Sequence, residues 1–511
     1  MNPPQERLLD VDSAILAAVL ALLPAAGIVN PRELSHWIAL VIVWALVHAA
    51  LKPELFRRRF VPDASPLALA GIRVWVCSVF LGYVFVSDLS STARLPREML
   101  AVSAGRMEWL HRISGFEAFL ESEAALTLYG AWTALILLLA TAGVVTRVAV
   151  PLATLSTLLY VGVFWDYTYF YHQCLIGLYV MTALSFTPCG DALSVDAWLR
   201  RRRGLAPVAR PAAVYGWSRY LCWTALALPY FLAGLSKVRG GGWLWWDPMN
   251  LRGKVYRDSL QKGVFEPPLG LHFFDAPEWL FAAIGLVTLV IEIGFCLVLF
   301  SRRARRVLPV GAASMHLGIF TLQNFLFVDA LLMQVIFYDW KRIGSWVRER
   351  AGATAQAEPR GVGGGRLCGV LVADAALVIC LVWMLQVESY PLSSWGMYSR
   401  KRTGSEVLYY VSWAEHATLG RIPAPYEKCF PAPTFNPYLR MAGYAFQDPA
   451  RQDASRRFFR ACGEELNRGR PAGQRITAFH LEQWLWDWRE DPAGPPHPDR
   501  ARTAPPPPGR T

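Results

Sequence analysis

Tyr230-Phe231-Leu232-Ala233-Gly234-Leu235-Ser236-Lys237 closes an apolar run that begins at Trp217, and an aromatic patch, Trp243-Leu244-Trp245-Trp246-Asp247, follows a few residues later. A run of this length crosses the roughly 30 Å of a bilayer's hydrocarbon. A lysine at its end has two readings. It snorkels to the interface, with its stem in lipid and its ammonium in water. Alternatively, it sits just inside a protein-lined cavity, where desolvation and neighbouring groups lower its pKa until a neutral amine serves as a base.

The pattern around Lys237 recurs along the chain. Of 511 residues, 54% are apolar and many lie in uncharged runs, so the composition predicts an all-α polytopic membrane protein rather than a string of soluble domains. The formal charge of +12 sits in short clusters between those runs, Lys52 to Arg59, Arg200 to Arg203 and Arg302 to Arg306. That distribution reports topology and argues against a nucleic-acid partner. Under one alternation of about eleven helices every strongly basic cluster falls on the same side. This predicts a cytoplasmic N-terminus, with His172, Lys237 and the C-terminal region external, and the Ala, Arg, Gly and Pro excess fits a bacterial cytoplasmic (inner) membrane as the setting. Nine cysteines without a CxxC spacing predict no metal site.

Five segments follow: residues 1–65, an N-terminal two-helix membrane extension; 66–345, the transmembrane core; 346–388, a cytoplasmic linker and the last membrane helix; 389–492, a small α+β extracytoplasmic domain; and 493–511, a disordered tail. Within the external domain, Glu406 to Trp413 alternates like a strand and Asp453 to Asn467 like a short amphipathic helix. Cys429 and Cys462 are its only cysteines, and an oxidising compartment allows them to pair. Spacing leaves that pairing open. The outer loop from Val238 to Glu278 is too long for a plain connector and reads as part of a site or a lid.

No phosphate loop, GxSxG or HExxH occurs, so the candidates for chemistry are polar groups that a membrane should exclude. Arg73, a third of the way into its helix, is either a structural pair or a ligand contact. Glu292, at mid-depth, must be protonated or paired, with Arg73 or His316 as the partner considered. His172 opens a helix within an aromatic belt, and His316 lies about ten residues into its own helix. Each histidine is either a hydrogen-bonded structural residue or part of a site.

Phe231-Leu232-Ala233-Gly234-Leu235-Ser236-Lys237 followed by Trp243 resembles the lysine motif of the vitamin K-dependent gamma-carboxylases and of the related bacterial HTTM (horizontally transferred transmembrane) proteins. His172, Ser194-Val195-Asp196, Glu292 and His316 in Met315-His316-Leu317-Gly318 follow in an order similar to that family's, and Arg73 fits its bacterial members. The resemblance covers Pro66 to Trp340. It implies a lysine that deprotonates a reduced quinone such as vitamin K hydroquinone, after which oxygen adds to the anion. The strong base so formed removes a glutamate γ-proton, and CO2 adds.

By that resemblance Lys237 is the base, His172 and His316 are catalytic hydrogen-bond or oxyanion groups, and Arg73, Trp243 and Glu292 bind the cofactor. Tyr171 before His172, and Val238-Arg239-Gly240-Gly241-Gly242 after Lys237, depart from the carboxylase pattern. The expected function is a quinone-linked carboxylase- or epoxidase-like membrane enzyme. The alternative is a non-enzymatic membrane module that binds lipid, or a protein partner through its external C-terminal domain.

Overall fold

The computed structural model describes residues 36–39, 41–42, 56, 59–95, 107–166, 172–205, 212–260, 269–273, 276–323, 326–338, 365–424, 437–447 and 449–491. Its membrane body comprises α1 (Pro66–Val86), α2 (Glu123–Ala142), α3 (Thr146–Asp166), α4 (Leu175–Ser185), α5 (Val195–Arg202), α6 (Ala213–Gly241), α7 (Pro248–Leu260), α8 (Glu278–Gly294), α9 (Ala304–Gln323), α10 (Val328–Leu332) and α11 (Gly365–Met384). Five of these are long and apolar enough to cross a membrane: α1, α2, α3, α6, and α8 with its 3-10 continuation to Leu299. The apolar helices Leu175–Ser185, Val328–Phe337 and Gly369–Met384 are shorter.

The expected count of about eleven spans thus becomes five full-length candidates among the described residues. Of the six other expected runs, two show the local reason. The stretch from Phe325 to Trp340 folds as the short α10 and then tightens into a 3-10 segment, Met333–Phe337. Helix α9 begins among Arg305 and Arg306, which dilute its apolar length. The expected run from Ser13 to Val29, most of that from His36 to Leu51, the linker 346–364, Asn324, Cys429 and the tail from Pro492 lie outside the described residues.

Helix α6 is the centre of the body. It is 29 residues long and buried over most of its length, including Trp217, Trp223 and Tyr220, and it packs against α4, α8 and α11. A helix that is apolar on every face belongs inside a bundle.

At the end of the body that carries Arg200 to Arg203, three helix ends are tied together. Helix α2 stops at Gly143, whose φ of 73° suits glycine, and a Cβ there would come 2.3 Å from Ser194. The Ser194 hydroxyl caps α5 by accepting from the Ala197 N–H at 2.9 Å. The Asp196 carboxylate caps α3 by accepting from the N–H groups of Val145 at 2.8 Å and Thr146 at 2.7 Å. Ser194-Val195-Asp196 is therefore a capping joint here. Arg73 serves the same joint. It is fully buried, and its guanidinium donates to the carbonyls of Cys189 at 2.7 Å, Thr141 at 3.3 Å and Leu193.

Beyond α11 the chain forms a three-stranded antiparallel sheet in the order β2-β1-β3, with β1 at Glu406–His416, β2 at Gly420–Pro423 and β3 at Ile476–Asp487. Two helices follow β2, α12 (Pro437–Tyr444) and α13 (Pro449–Asn467). Phe459 of α13 meets Phe479 of β3 at 5.8 Å between ring centres. The strand thus runs three residues beyond the expected Trp413, and α13 begins four residues before the expected Asp453. Cys462 is buried and disulfide-bonded. A second apolar core joins this sheet to the membrane body: Val407, Tyr409 and Trp486 pack with Tyr256 of α7 and Phe281 of α8. Helix α7 is therefore gripped between the two.

Candidate functional site

Lys237 does not snorkel. Its side chain is 7% exposed, and its ammonium stands 2.8 Å from each oxygen of Glu292, itself 9% exposed. The partner of Glu292 is thus Lys237, in place of Arg73 or His316. Local sequence explains the meeting. Gly234 and Lys237 are three residues apart and share a face of α6, and at Gly234 the two helices nearly touch: a Cβ there would lie 2.9 Å from the Ile293 nitrogen and 3.0 Å from the Glu292 Cβ. Small residues permit this backbone approach between membrane helices. Gly234→Val is expected to push α8 away, destabilise the protein by about 1–3 kcal/mol and part the ion pair. Thermal unfolding in detergent checks the first effect, and protection of Lys237 from an amine reagent checks the second.

The pair opens on a cavity of about 530 Å³ with mostly apolar walls from α6, α7, α8, α9 and α10. Val287 of α8, 54% exposed, and the exposed Ser314 of α9 both line it. The cavity therefore reaches the outside of the bundle between α8 and α9.

His172 and His316 both line the same cavity, with Asp329. Tyr230 lies two turns before Lys237, about 10 Å deeper, and its hydroxyl meets His316 Nε2 at 2.6 Å while accepting from the Gln334 amide at 2.8 Å. His316 Nδ1 and Asp329 Oδ2 are buried without a hydrogen-bond partner. Buried polar atoms are ordinarily satisfied, so these two mark the deep end as a place for a polar ligand group. His172 holds a left-handed φ of 62°, and Cys174 one of 66°, just before α4. Side chains pay for that conformation in strain, a feature that clusters at functional sites. The His172 ring meets the Ser393 hydroxyl at 3.2 Å and the edge of Trp395 at 5.2 Å between centres.

Arg73 and Trp243 do not join this site. Arg73 is spent on the capping joint, and Trp243 is 66% exposed. The aromatic side chain that enters the wall is Trp245, two residues on, because Gly242, with φ 72°, turns the chain at the end of α6. Arg239-Gly240-Gly241-Gly242 also has a packing purpose: Cβ atoms at Gly240 and Gly241 would come within 3.1 Å of Ser399. The glycines let residues 395–400 cross the mouth.

Sequence reasoning missed the residues of that strap, Trp395, Met397 and Tyr398, which all line the cavity. They are some 160 residues from Lys237, too far for any local pattern to connect them. It also missed Lys254, on α7. A signal existed: Asp247-Pro248 is a helix-start pair, and the Asp247 carboxylate accepts from the Met249 N–H at 2.9 Å. A helix from Pro248 places Asn250 and Lys254 on one face.

Among the described residues no three His, Cys, Asp or Glu side chains gather to hold a metal ion.

Five helices long and apolar enough to cross a membrane fit an integral membrane protein of the helical class, and two of them, α6 and α8, wall the cavity. No family model, no curated protein and no solved structure matches the chain.

Proposed function

We propose that this protein is a quinone-linked membrane enzyme of the HTTM and vitamin K-dependent carboxylase kind, which binds a reduced quinone in the 530 Å³ cavity and takes a proton from it at the lysine-bearing mouth. The observation that carries the reading is the buried Lys237–Glu292 pair at the rim of an apolar cavity that opens sideways between α8 and α9. A lateral opening at membrane depth suits a ligand dissolved in lipid. The volume suits a ring with a short apolar chain. A quinol carries two hydroxyls on opposite sides of its ring. The mouth offers one of them the Lys237–Glu292 pair, and the deep end offers His316 and Asp329 to a polar group.

The expected setting is a bacterial cytoplasmic membrane with the sheet domain outside. The disulfide at Cys462 supports an oxidising compartment for that domain.

The test is anaerobic binding of a reduced naphthoquinone to the whole protein in nanodiscs, read by quenching of tryptophan fluorescence, since Trp245 and Trp395 line the cavity. Saturable quenching, weakened at least tenfold in Lys237→Met, is expected. Oxygen uptake on admitting air then reports turnover. Absence of saturable quenching in the wild-type protein refutes the quinol reading, and displacement of a bound phospholipid in its place points to the lipid-binding module.

A further inference from the structure

The sheet that follows α11 leaves a long edge unpaired. In the order β2-β1-β3, β3 bonds to β1 on one side, and among the described residues no backbone hydrogen bond leads from 477–485 to anything but β1. Natural sheets cover such an edge or blunt it with a short strand, a proline or inward-pointing charge. β3 is 12 residues long and contains no proline.

Beside this edge runs a groove of about 470 Å³ between β3 and α13. Its wall on the sheet side comes from β3 alone and includes four consecutive residues, Ile476 to Phe479. Side chains of a strand alternate between its faces, so four in succession mean that the strand borders the groove along its backbone edge. The wall on the helix side is a stripe of α13, Gln452, Arg456, Arg460, Gly463 and Asn467, spaced three or four residues apart. From Ile476 to Leu481 the edge is about 17 Å long, room for five or six residues of an extended chain.

Asn467 shows what the edge accepts. Its Nδ2 donates to the Ile476 carbonyl at 2.8 Å, and its Oδ1 accepts from the Ile476 N–H at 2.7 Å. A residue of a neighbouring antiparallel strand exchanges the same two bonds. The peptide groups of Ile476 therefore point out of the sheet toward α13, and the side chain closes the groove at that end. Further along, Phe479 and Leu481 face the groove, while His480 between them stacks on Trp413 at 3.7 Å on the other face.

We propose that this groove receives an extended acidic segment of a protein partner, which joins the sheet as a fourth strand beside β3. In this mode main-chain bonds to the edge supply affinity and alternate side chains supply specificity. Phe459, Phe479 and Leu481 offer an apolar wall to one set of those side chains, and Arg456 and Arg460 offer cations to the other. Arg460 has no carboxylate partner among the described residues, and Arg456 meets the exposed Asp453 at 2.8 Å, a kind of pair that contributes little. Glu464, the one carboxylate among the described wall residues, stands a turn nearer the end that Asn467 closes.

The chain's own tail does not suit the groove. Residues 493–511 hold seven prolines, which cannot donate to a ladder, and three arginines against one aspartate. The inference does not rest on the quinol reading, because the groove lies on the sheet domain and shares no residue with the cavity at Lys237.

The test uses the whole protein in nanodiscs and a fluorescein-labelled octapeptide of alternating glutamate and valine, read by anisotropy. Saturable binding is expected, weakened at least tenfold in Arg456→Glu/Arg460→Glu. Both side chains are exposed, so this variant keeps its fold. The corresponding lysine and valine peptide should prefer the variant to the wild type. N-methylation of alternate residues separates strand addition from attraction of charge alone. Methylation of one set removes the N–H groups that face β3 and should abolish binding; methylation of the other set should leave it within threefold. Binding that survives both sets, or that ignores the arginine reversal, overturns the inference. Light scattering in detergent examines the competing occupant: a dimer that excludes the peptide gives the edge to a second copy of β3 and likewise overturns it.

Discussion

Lys237→Met is expected to destabilise the protein by about 3–5 kcal/mol, and Glu292→Leu by a similar amount, while the double variant Lys237→Met/Glu292→Leu recovers most of the loss. The reason is an asymmetry of burial. Each side chain is less than a tenth exposed and each is the other's ionic partner at 2.8 Å. Removing one strands a charge in an apolar wall; removing both leaves a wall that is simply apolar. Thermal unfolding in detergent, with tryptophan emission as the signal, measures all three variants. Losses that simply add in the double variant would mean that the pair is not coupled and that Glu292 and Lys237 find separate partners. The double variant should also lose quinol binding while standing near wild-type stability, which separates the role of the pair in the site from its role in the fold.

Arg73→Met is expected to cost about 3 kcal/mol or more, because it leaves the carbonyls of Cys189, Thr141 and Leu193 without their donor in a buried joint, at about 1–3 kcal/mol for each. Methionine keeps much of the length of the side chain, so the loss is chiefly one of hydrogen bonds. The same variant should bind reduced quinone with unchanged affinity wherever it is folded, because Arg73 does not line the cavity. A stable variant with weakened binding would restore the ligand-contact reading. Thermal unfolding and fluorescence quenching on one preparation decide between the two.

Arg73 illustrates why charge in a membrane helix is legible as a problem but not as an answer. The sequence marks it as an expensive residue, and both solutions, a structural partner and a ligand, are open at that level. What decides is the meeting of the α2 end with the turn before α5, a contact between segments about 50 residues apart. Glu292 repeats the point. Its need for a partner follows from its depth, yet the partner is chosen by Gly234, which brings α8 onto the face of α6 that bears Lys237.

Helix α7 was partly legible. Its long parent loop reads as a lid or site, and Asp247-Pro248 marks its start, but nothing local shows that Asn250 and Arg400 hold Lys254 against the cavity. The strap of Trp395, Met397 and Tyr398 was not legible at all. Its place depends on glycines after Lys237 that read only as a flexible turn, and on hydrogen bonds such as that from Trp245 Nε1 to the Tyr398 carbonyl at 2.8 Å.

By itself the sequence determined the class of the protein: apolar runs of bilayer length, basic clusters between them, and a small strand-and-helix domain after the last run. These are properties of composition and period, which each segment carries alone. It also singled out Lys237, Glu292, His172 and His316, because ionisable groups in apolar runs are costly wherever they end up. The tertiary structure alone decided which of those costs cancel. Pairing depends on distances of about 3 Å between helices far apart in the chain, so the Lys237–Glu292 pair, the capping duty of Arg73 and the bond from Lys254 to the Arg400 carbonyl exist only once the helices have packed.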